Sequence, residues 1–199
     1  YMTLNEDNEI ILQKTIIENN TCELDGGAIA IIKKIPNAIE EMIPDAIYDY
    51  LSPKDIFIVN STIKNNTSNT RTTDGIYISS TESTVNKKIN ITSCLIEDHK
   101  QSAVSLYNII SSKVELNDNV IRNNGKGMVA NNAEVKIWNN IFGKNIEQIY
   151  LLGEMKVSIT DNDFNGSSIS KIGISIDRDT DISIGTITKN NFLGHILYD

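Results

Sequence analysis

The sequence predicts an all-β chain that winds into a stacked solenoid of about six or seven rungs. Three observations predict this fold class: short runs that alternate apolar and polar residues, asparagine-rich turns between the runs, and a repeat of these units along the 199 residues. Alternation places one side of every strand against an interior. Stacked rungs that each contribute an apolar side would therefore share one continuous core.

Isoleucine and asparagine dominate the composition, with 35 and 25 residues. Isoleucine favours pleated, closely packed strands, and asparagine tolerates the left-handed backbone conformation of sharp turns. The chain is 40% hydrophobic and 22% charged, with a formal net charge of -8. These values are typical of a single soluble domain, residues 1–199. Because the strand rhythm continues to both ends of the sequence, we interpret this domain as a fragment of a longer protein.

The repeat is carried by two series of apolar positions. The first series marks an apolar residue that follows Asn, Thr or Ser, and it consists of Ile17, Ile63, Leu95, Ile121, Phe142, Phe164 and Phe192. The second series marks the first apolar residue of the strand after each turn: Ile29, Ile76, Val104, Met128, Ile149 and Ile172. The spacings of both series lengthen and shorten together, as expected when each period is one rung and the extra residues form loops.

One long interval contains a segment with a different periodicity. Residues 36–51 carry apolar side chains at helical spacing, and Pro44 interrupts them by removing a backbone donor. We therefore expect a short helical insertion within residues 33–55 of the first full rung. Its apolar face is expected to cover the flank or end of the solenoid, and a partner-binding role is the alternative.

The segment "NNTCELDGGAIAI" (residues 19–31) and the later rungs of the form hxhxxNxhhxxNxxG carry a family resemblance. They resemble right-handed parallel β-helix proteins of the pectate-lyase-like superfamily. They are more similar still to the "GGAI" repeats of polymorphic surface proteins and of adhesin-like proteins from Ile/Asn-rich prokaryotes such as methanogenic archaea. The resemblance implies a right-handed parallel β-helix for nearly all of the chain outside residues 33–55. This scaffold carries lyases, hydrolases, adhesins and phage tailspikes, so the resemblance alone does not define a function.

Outward-facing aromatic residues form the first candidate site. If the second apolar series points inward, alternation turns one stacked row outward: Ala30, Tyr77, Ser105, Val129, Tyr150 and Gly173. Trp138 is expected to lie outward or at a corner. Sugar rings stack their apolar faces on aromatic planes, so Tyr77, Tyr150 and Trp138 are candidate sugar-stacking residues. The alternative is that tyrosine is here only a good strand former.

Two acidic segments are candidate calcium sites, and calcium is the only cofactor that the sequence suggests. The first reproduces the start of a D-x-D-x-N-G calcium loop with Asp161, Asp163 and Asn165, although Ile172 stands where a bidentate Glu is expected. An ordinary rung turn would select the same residues.

The second segment, "DRDTD", contains Asp177, Asp179 and Asp181. On one side of an extended segment, these carboxylates would repel one another and favour a bound cation. A solvated loop with Arg178 as the counterion is the alternative.

Catalysis is the less favoured interpretation of the chain. By resemblance, pectate lyases need a calcium-binding carboxylate cluster with a basic residue, and the related hydrolases need clustered Asp with His. Asp98, His99 and Lys100 are adjacent in sequence, but a turn would scatter their side chains. We assign no catalytic residue. Two carboxylates at the right separation would suffice for glycoside hydrolysis, so a polysaccharide lyase or glycoside hydrolase stays the alternative.

Several smaller features complete the prediction. An acidic chain without a Lys/Arg cluster does not suit nucleic acid, and no run approaches the roughly 18 apolar residues of a membrane span. Cys94 is expected to be a small buried hydrophobe that forms no disulfide with Cys22. Asparagines of successive turns are expected to hydrogen-bond in a ladder, with these candidates: Asn19, Asn65, Asn123, Asn145 and Asn190.

The sequence thus predicts a secreted or surface-displayed module that adheres to a polysaccharide or cell-surface glycan. Its localisation is expected to be extracellular or at the cell surface, with the targeting signal outside this fragment. The sequence does not define the oligomeric state. A tailspike-like module, which would trimerise, is a third interpretation.

Overall fold

The computed structural model describes residues 9–23, 26–33, 55–69, 73–80, 88–166 and 172–193, and these ranges contain strands and turns but no helix. The strands are β1 (Ile10–Gln13), β2 (Ile16–Glu18), β3 (Thr21–Cys22), β4 (Ile29–Lys33), β5 (Asp55–Val59), β6 (Thr62–Lys64), β7 (Thr67–Ser68), β8 (Thr73–Ser80), β9 (Lys88–Thr92), β10 (Leu95–Glu97), β11 (Ser102–Asn117), β12 (Val120–Arg122), β13 (Lys126–Trp138), β14 (Ile141–Gly143), β15 (Glu147–Thr160), β16 (Asp163–Asn165), β17 (Ile172–Ile176), β18 (Asp181–Thr188) and β19 (Asn191–Leu193).

The predicted helical insertion, residues 33–55, falls almost entirely outside the described residues. Its two end residues are strand residues, since Lys33 ends β4 and Asp55 begins β5. The described ranges contain no helix long and apolar enough to cross a membrane.

The strands stack in parallel, which confirms the predicted fold class as an all-β parallel solenoid. One sheet has ten strands, a second has seven and a third has two. The seven-stranded sheet receives its strands in chain order, β2, β6, β10, β12, β14, β16 and β19, and neighbouring strands in it are parallel. Each winding therefore adds one strand beside the strand of the winding before it. The right-handed sense of the winding stays a prediction.

Bends divide the ten-stranded sheet into two faces, so the solenoid has three. The long strands β11, β13 and β15 turn at Asn108, Asn132 and Gly153, which all have positive φ. The first face lies before these bends and contains β4, β8 and β17. The second face lies after them and contains β1, β5, β9 and β18. The seven-stranded sheet is the third face.

Residues with positive φ also form the corners on both sides of the third face. Before the third face they are Lys14, Asn60, Ser93, Asp118, Asn139, Asp161 and Lys189, and after it they are Asn19, Asn65, Asp98, Asn123 and Lys144. Except for Lys189 in the last described winding, these residues donate their main-chain N–H to a carbonyl of the next winding, as Asn60 does to Thr92 at 3.0 Å. Asn and Asp enter this left-handed region most easily among residues with a side chain, which explains the asparagine-rich composition.

The inner row of the third face carries the first apolar series. Its members are Ile17, Ile63, Ile96, Ile121, Phe142, Phe164 and Phe192. The prediction was wrong at Leu95, because the inner residue of that winding is Ile96. The thiol of Cys94 occupies the buried corner position that Ser61 holds in the previous winding. Leu95 therefore points outward and Ile96 inward.

The second apolar series is confirmed from Ile29 to Ile149 and wrong at its last member. Ile149 pairs with Ile174, whereas Ile172 pairs with Glu147 and is 41% exposed. The segment I-G-I-S-I repeats every two residues. Alternation therefore defines which side faces inward, but it does not define which isoleucine comes first.

Two ladders of polar side chains, most of them buried, connect the windings. The first ladder contains Thr15, Ser61, Cys94, Asn119, Asn140, Asn162 and Asn190. The second ladder contains Asn20, Asn66, His99, Asn124 and Asn145. In the first ladder, the Asn140 Oδ1 atom accepts the Asn119 main-chain N–H at 3.0 Å and its Nδ2–H at 2.9 Å. Such bonds pair buried polar groups and maintain the register between windings.

The ladder prediction is confirmed at Asn145 and Asn190. It also holds between Asn19 and Asn65 on the outside of the corner, because the Asn65 Nδ2–H donates to the Asn19 Oδ1 atom at 2.6 Å. Asn123 bonds to an aspartate instead of an asparagine: its Nδ2–H donates to the Asp98 Oδ1 atom at 3.1 Å. Asn19, Asn65 and Asn123 take the left-handed corner conformation and are exposed, and the residue that follows each of them belongs to the second ladder. In each of these pairs of adjacent asparagines, the first residue forms the corner and the second joins the ladder.

Cys94 is a ladder member at a corner rather than a strand residue. Its thiol donates to the Ile58 and Thr92 carbonyls at 3.4 and 3.3 Å. Burial raises the pKa of this thiol. Cys22 and Cys94 are not joined by a disulfide.

Candidate functional site

A cavity of about 430 Å³ opens on the outer side of the first face. We name it the outer groove. The lining residues that matter most here are Tyr107, Lys126, Val129, Asn131, Glu147 and Tyr150. They lie on β11, β13 and β15, whose parallel register holds them in fixed positions relative to one another.

The predicted outward row passes through this region. The pairing register connects Ala30, Tyr77, Ser105, Val129 and Tyr150 in successive strands. The last predicted member, Gly173, is wrong, because Tyr150 pairs with Ser175. The residues between the two tyrosines, Ser105 and Val129, are small and buried. They form a low surface between two taller aromatic side chains.

Tyr107 is a site residue that the sequence prediction missed. It lies in the next outward row, which joins Ser79, Tyr107, Asn131 and Leu152. Its ring centroid is 5.7 Å from that of Tyr77, with the two rings tilted by 41°. The signal was present in "AVSLY", where Tyr107 follows the outward Ser105 by two residues.

Tyr150 has the most defined surroundings of the three tyrosines. Its hydroxyl donates to the Asp177 Oδ2 atom at 2.7 Å. The Lys126 Nζ atom lies 3.9 Å from the centroid of its ring and 2.6 Å from the Glu147 Oε2 atom. A cation above a ring and a carboxylate at its hydroxyl restrict the motion of this side chain.

The hydrogen bond between Tyr150 and Asp177 shifts the pKa values of these two side chains in opposite directions. It raises the pKa of Tyr150, because the phenol must keep its proton to donate, with a further contribution from burial. It lowers the pKa of Asp177, and the Asp179 main-chain N–H assists. The phenol therefore stays a donor and the carboxylate stays charged.

The structure does not bring Trp138 together with the tyrosines. Trp138 ends β13 on the second face, where it pairs with Asn117 and Thr160. It is half-buried next to a corner, as predicted, and the Lys136 Nζ atom lies 4.4 Å from its ring centroid.

The "DRDTD" segment forms a turn rather than the extended segment that was expected. The Thr180 main-chain N–H donates to the Asp177 carbonyl at 3.0 Å, and the Asp177 carboxylate faces Tyr150. Asp179 lies exposed in the turn, and Asp181 begins β18 beside Glu154. A turn scatters carboxylates that a strand would align.

The D-x-D-x-N segment, residues 161–165, includes β16 and the corner before it. Asp161 is an exposed corner residue with φ of 55°, while Asp163 and Asn165 share the outer side of β16. The Asp163 carboxylate accepts the Asn191 Nδ2–H at 3.2 Å. Among the described residues, no three His, Cys, Asp or Glu side chains form a group that could hold a metal ion. Calcium binding by these six residues stays a prediction.

The described lining of the outer groove contains one carboxylate, Glu147, which is paired with Lys126. Asp98, His99 and Lys100 are separated as expected: His99 is buried in the second ladder, Asp98 is an exposed corner residue, and Lys100 lines the groove.

No protein-family model, curated protein or solved structure matches the chain. The fold and the outer groove carry the functional conclusion.

Proposed function

We propose that this chain is a non-catalytic, adhesin-like β-helix module that binds a polysaccharide or cell-surface glycan in the outer groove. The observation that carries the proposal is the groove itself: Tyr107 and Tyr150 project beside the buried Val129, with Asn131 between them. Aromatic rings at a fixed separation on a shallow surface accept the apolar faces of sugar rings, while amide and hydroxyl groups bond to sugar hydroxyls.

The spacing of the aromatic residues supports a polymer rather than a single sugar. Tyr77 lies beyond the lining of the groove, in the outward row, three strand positions from Tyr150. At about 4.8 Å per strand, that corresponds to about 14 Å. A ligand that contacts both tyrosines must span several sugar units.

The electrostatics of the groove favour sugar hydroxyls over a strongly anionic polymer. Lys126 is neutralised by Glu147, and the Tyr150 hydroxyl is held by the Asp177 carboxylate. The whole chain carries a formal net charge of -8, which repels polyanions. Display outside the cell, where such glycans occur, belongs to the same proposal.

A binding screen combined with a turnover assay tests the proposal. The chain is applied to a glycan array, and the same chain is incubated with polyuronides and neutral plant polymers while reducing ends are measured. Binding without new reducing ends supports the module. New reducing ends would instead identify the chain as a polysaccharide lyase or glycoside hydrolase. Absence of both binding and turnover would overturn the proposal.

A further inference from the structure

One amide in the lining of the outer groove makes no hydrogen bond. The Asn131 side chain is half-buried there, and within the described residues neither its Oδ1 nor its Nδ2 atom has a hydrogen-bond partner. The ladder asparagines differ, since the Asn119 Nδ2–H donates to the Asn140 Oδ1 atom at 2.9 Å. A polar side chain that the fold leaves unpaired beside a cavity is available to a ligand.

The bend of β15 leaves space for this amide. A Cβ atom at position 153 would lie 2.7 Å from the Asn131 Oδ1 atom, which is closer than Cβ atoms approach other atoms. Gly153 has a φ of 67° and no side chain, so it forms the bend without displacing the amide. Asn131 therefore lies at the end of the groove next to the bend.

Apolar side chains surround Asn131 in two outward rows. In its own row, Asn131 lies between Tyr107 and Leu152, and in the neighbouring row Val129 lies beside Tyr150. All five residues line the groove, and Val129, which is 5% exposed, forms its floor. An unpaired amide above an apolar floor matches a ligand group that is itself an amide with a methyl group attached.

The two groove tyrosines are held by contacts that do not involve Asn131. The Tyr107 ring packs on Tyr77 with centroids 5.7 Å apart, and the Tyr150 hydroxyl donates to Asp177 at 2.7 Å. Tyr107 and Asn131 are direct neighbours on adjacent strands, which are about 4.8 Å apart. A sugar ring stacked on Tyr107 therefore directs one of its substituents over Val129 and towards Asn131.

We propose that the outer groove prefers a neutral polymer of 2-acetamido sugars, an inference that rests on the proposed glycan-binding function. The Asn131 Nδ2–H donates to the acetyl carbonyl oxygen, and the acetyl methyl group packs on Val129 and Leu152. A sugar with a hydroxyl group in place of the acetamido group would bury no methyl group and would place a polar group over the same apolar floor.

Calorimetric titration of the full chain with chitohexaose and with cellohexaose tests this preference. Both probes are neutral, β-1,4-linked hexamers of the same sugar skeleton, and they differ in an acetamido or a hydroxyl group at carbon 2. Burial of one methyl group and formation of one hydrogen bond should make the affinity for chitohexaose about ten- to fiftyfold higher. Asn131→Ala should reduce this ratio of affinities by about two- to thirteenfold, with circular dichroism confirming the fold.

Asn69→Ala is the matched control, because Asn69 is exposed and lies outside the described lining of the groove, and it should keep the wild-type ratio. Three results would overturn the inference and leave the proposed function intact: equal or tighter binding of cellohexaose, a ratio that Asn131→Ala does not change, or binding of array glycans but of neither hexamer. A chain that binds no glycan at all would overturn both.

Discussion

Replacing Asn140 with alanine should destabilise the solenoid locally, at the first ladder. Asn140 is 1% exposed, and its Oδ1 atom accepts two N–H groups of Asn119, from the main chain and from Nδ2. Asn140→Ala leaves both groups buried without this acceptor. At about 1–3 kcal/mol for each unsatisfied buried donor, the free energy of unfolding should fall by about 2–6 kcal/mol.

Urea denaturation and amide hydrogen exchange measure this effect together. Stability in a solenoid is a sum of local terms, so exchange should accelerate most at the Asn119 amide, by about tenfold or more. Asn139→Gly is the matched control: it changes the neighbouring exposed corner residue, and glycine accepts its φ of 55°. Equal losses for Asn140→Ala and Asn139→Gly, or an unchanged Asn119 exchange rate, would refute the ladder argument.

Three further predictions follow from buried or hydrogen-bonded groups. Burial lowers the pKa of His99 below its usual 6.5. The contribution of His99 to the free energy of unfolding should therefore be fully present above pH 6.5 and be lost as the pH decreases from 6.5 towards the folded-state pKa. His99→Asn places an asparagine in the ladder and should remove this pH dependence from the denaturation curves. Cys94 is buried with a raised pKa, so a thiol reagent should modify native Cys22 first and reach Cys94 only on unfolding, and rapid native labelling of both would contradict this. Because the hydrogen bond to Asp177 is the main cause of the raised Tyr150 pKa, Asp177→Asn should lower that pKa in a spectrophotometric titration, and an unchanged value would contradict the hydrogen bond.

The fold was predictable because two periodicities coincide in the sequence. Alternation defined the inward side of each strand, and the joint variation of two spacings defined the windings. The errors share one cause: a repeat of two residues cannot distinguish Ile172 from Ile174, and adjacent apolar residues cannot distinguish Leu95 from Ile96. At Leu95, the corner position of Cys94 decided which residue faces inward, and local pattern does not report it.

The candidate site was predictable only in part. Alternation placed Tyr77 and Tyr150 in one outward row, and the structure confirms that register. The contact between Tyr150 and Asp177 joins residues 27 positions apart through a turn, so no local pattern could indicate it. Trp138 was grouped with the tyrosines because it is aromatic and outward, but the bend in β13 places it on another face.

Calorimetric titration of an array-selected glycan tests the central claim, that the outer groove is the binding surface. The test variants are Tyr107→Ala and Tyr150→Ala, inside the groove. The control variant is Trp138→Ala, outside the groove. Losing one aromatic contact of about 1–1.5 kcal/mol should weaken binding by about five- to thirteenfold for either tyrosine variant. Trp138→Ala should bind like the wild type. Unchanged affinity for both tyrosine variants, or a loss confined to Trp138→Ala, would contradict the claim.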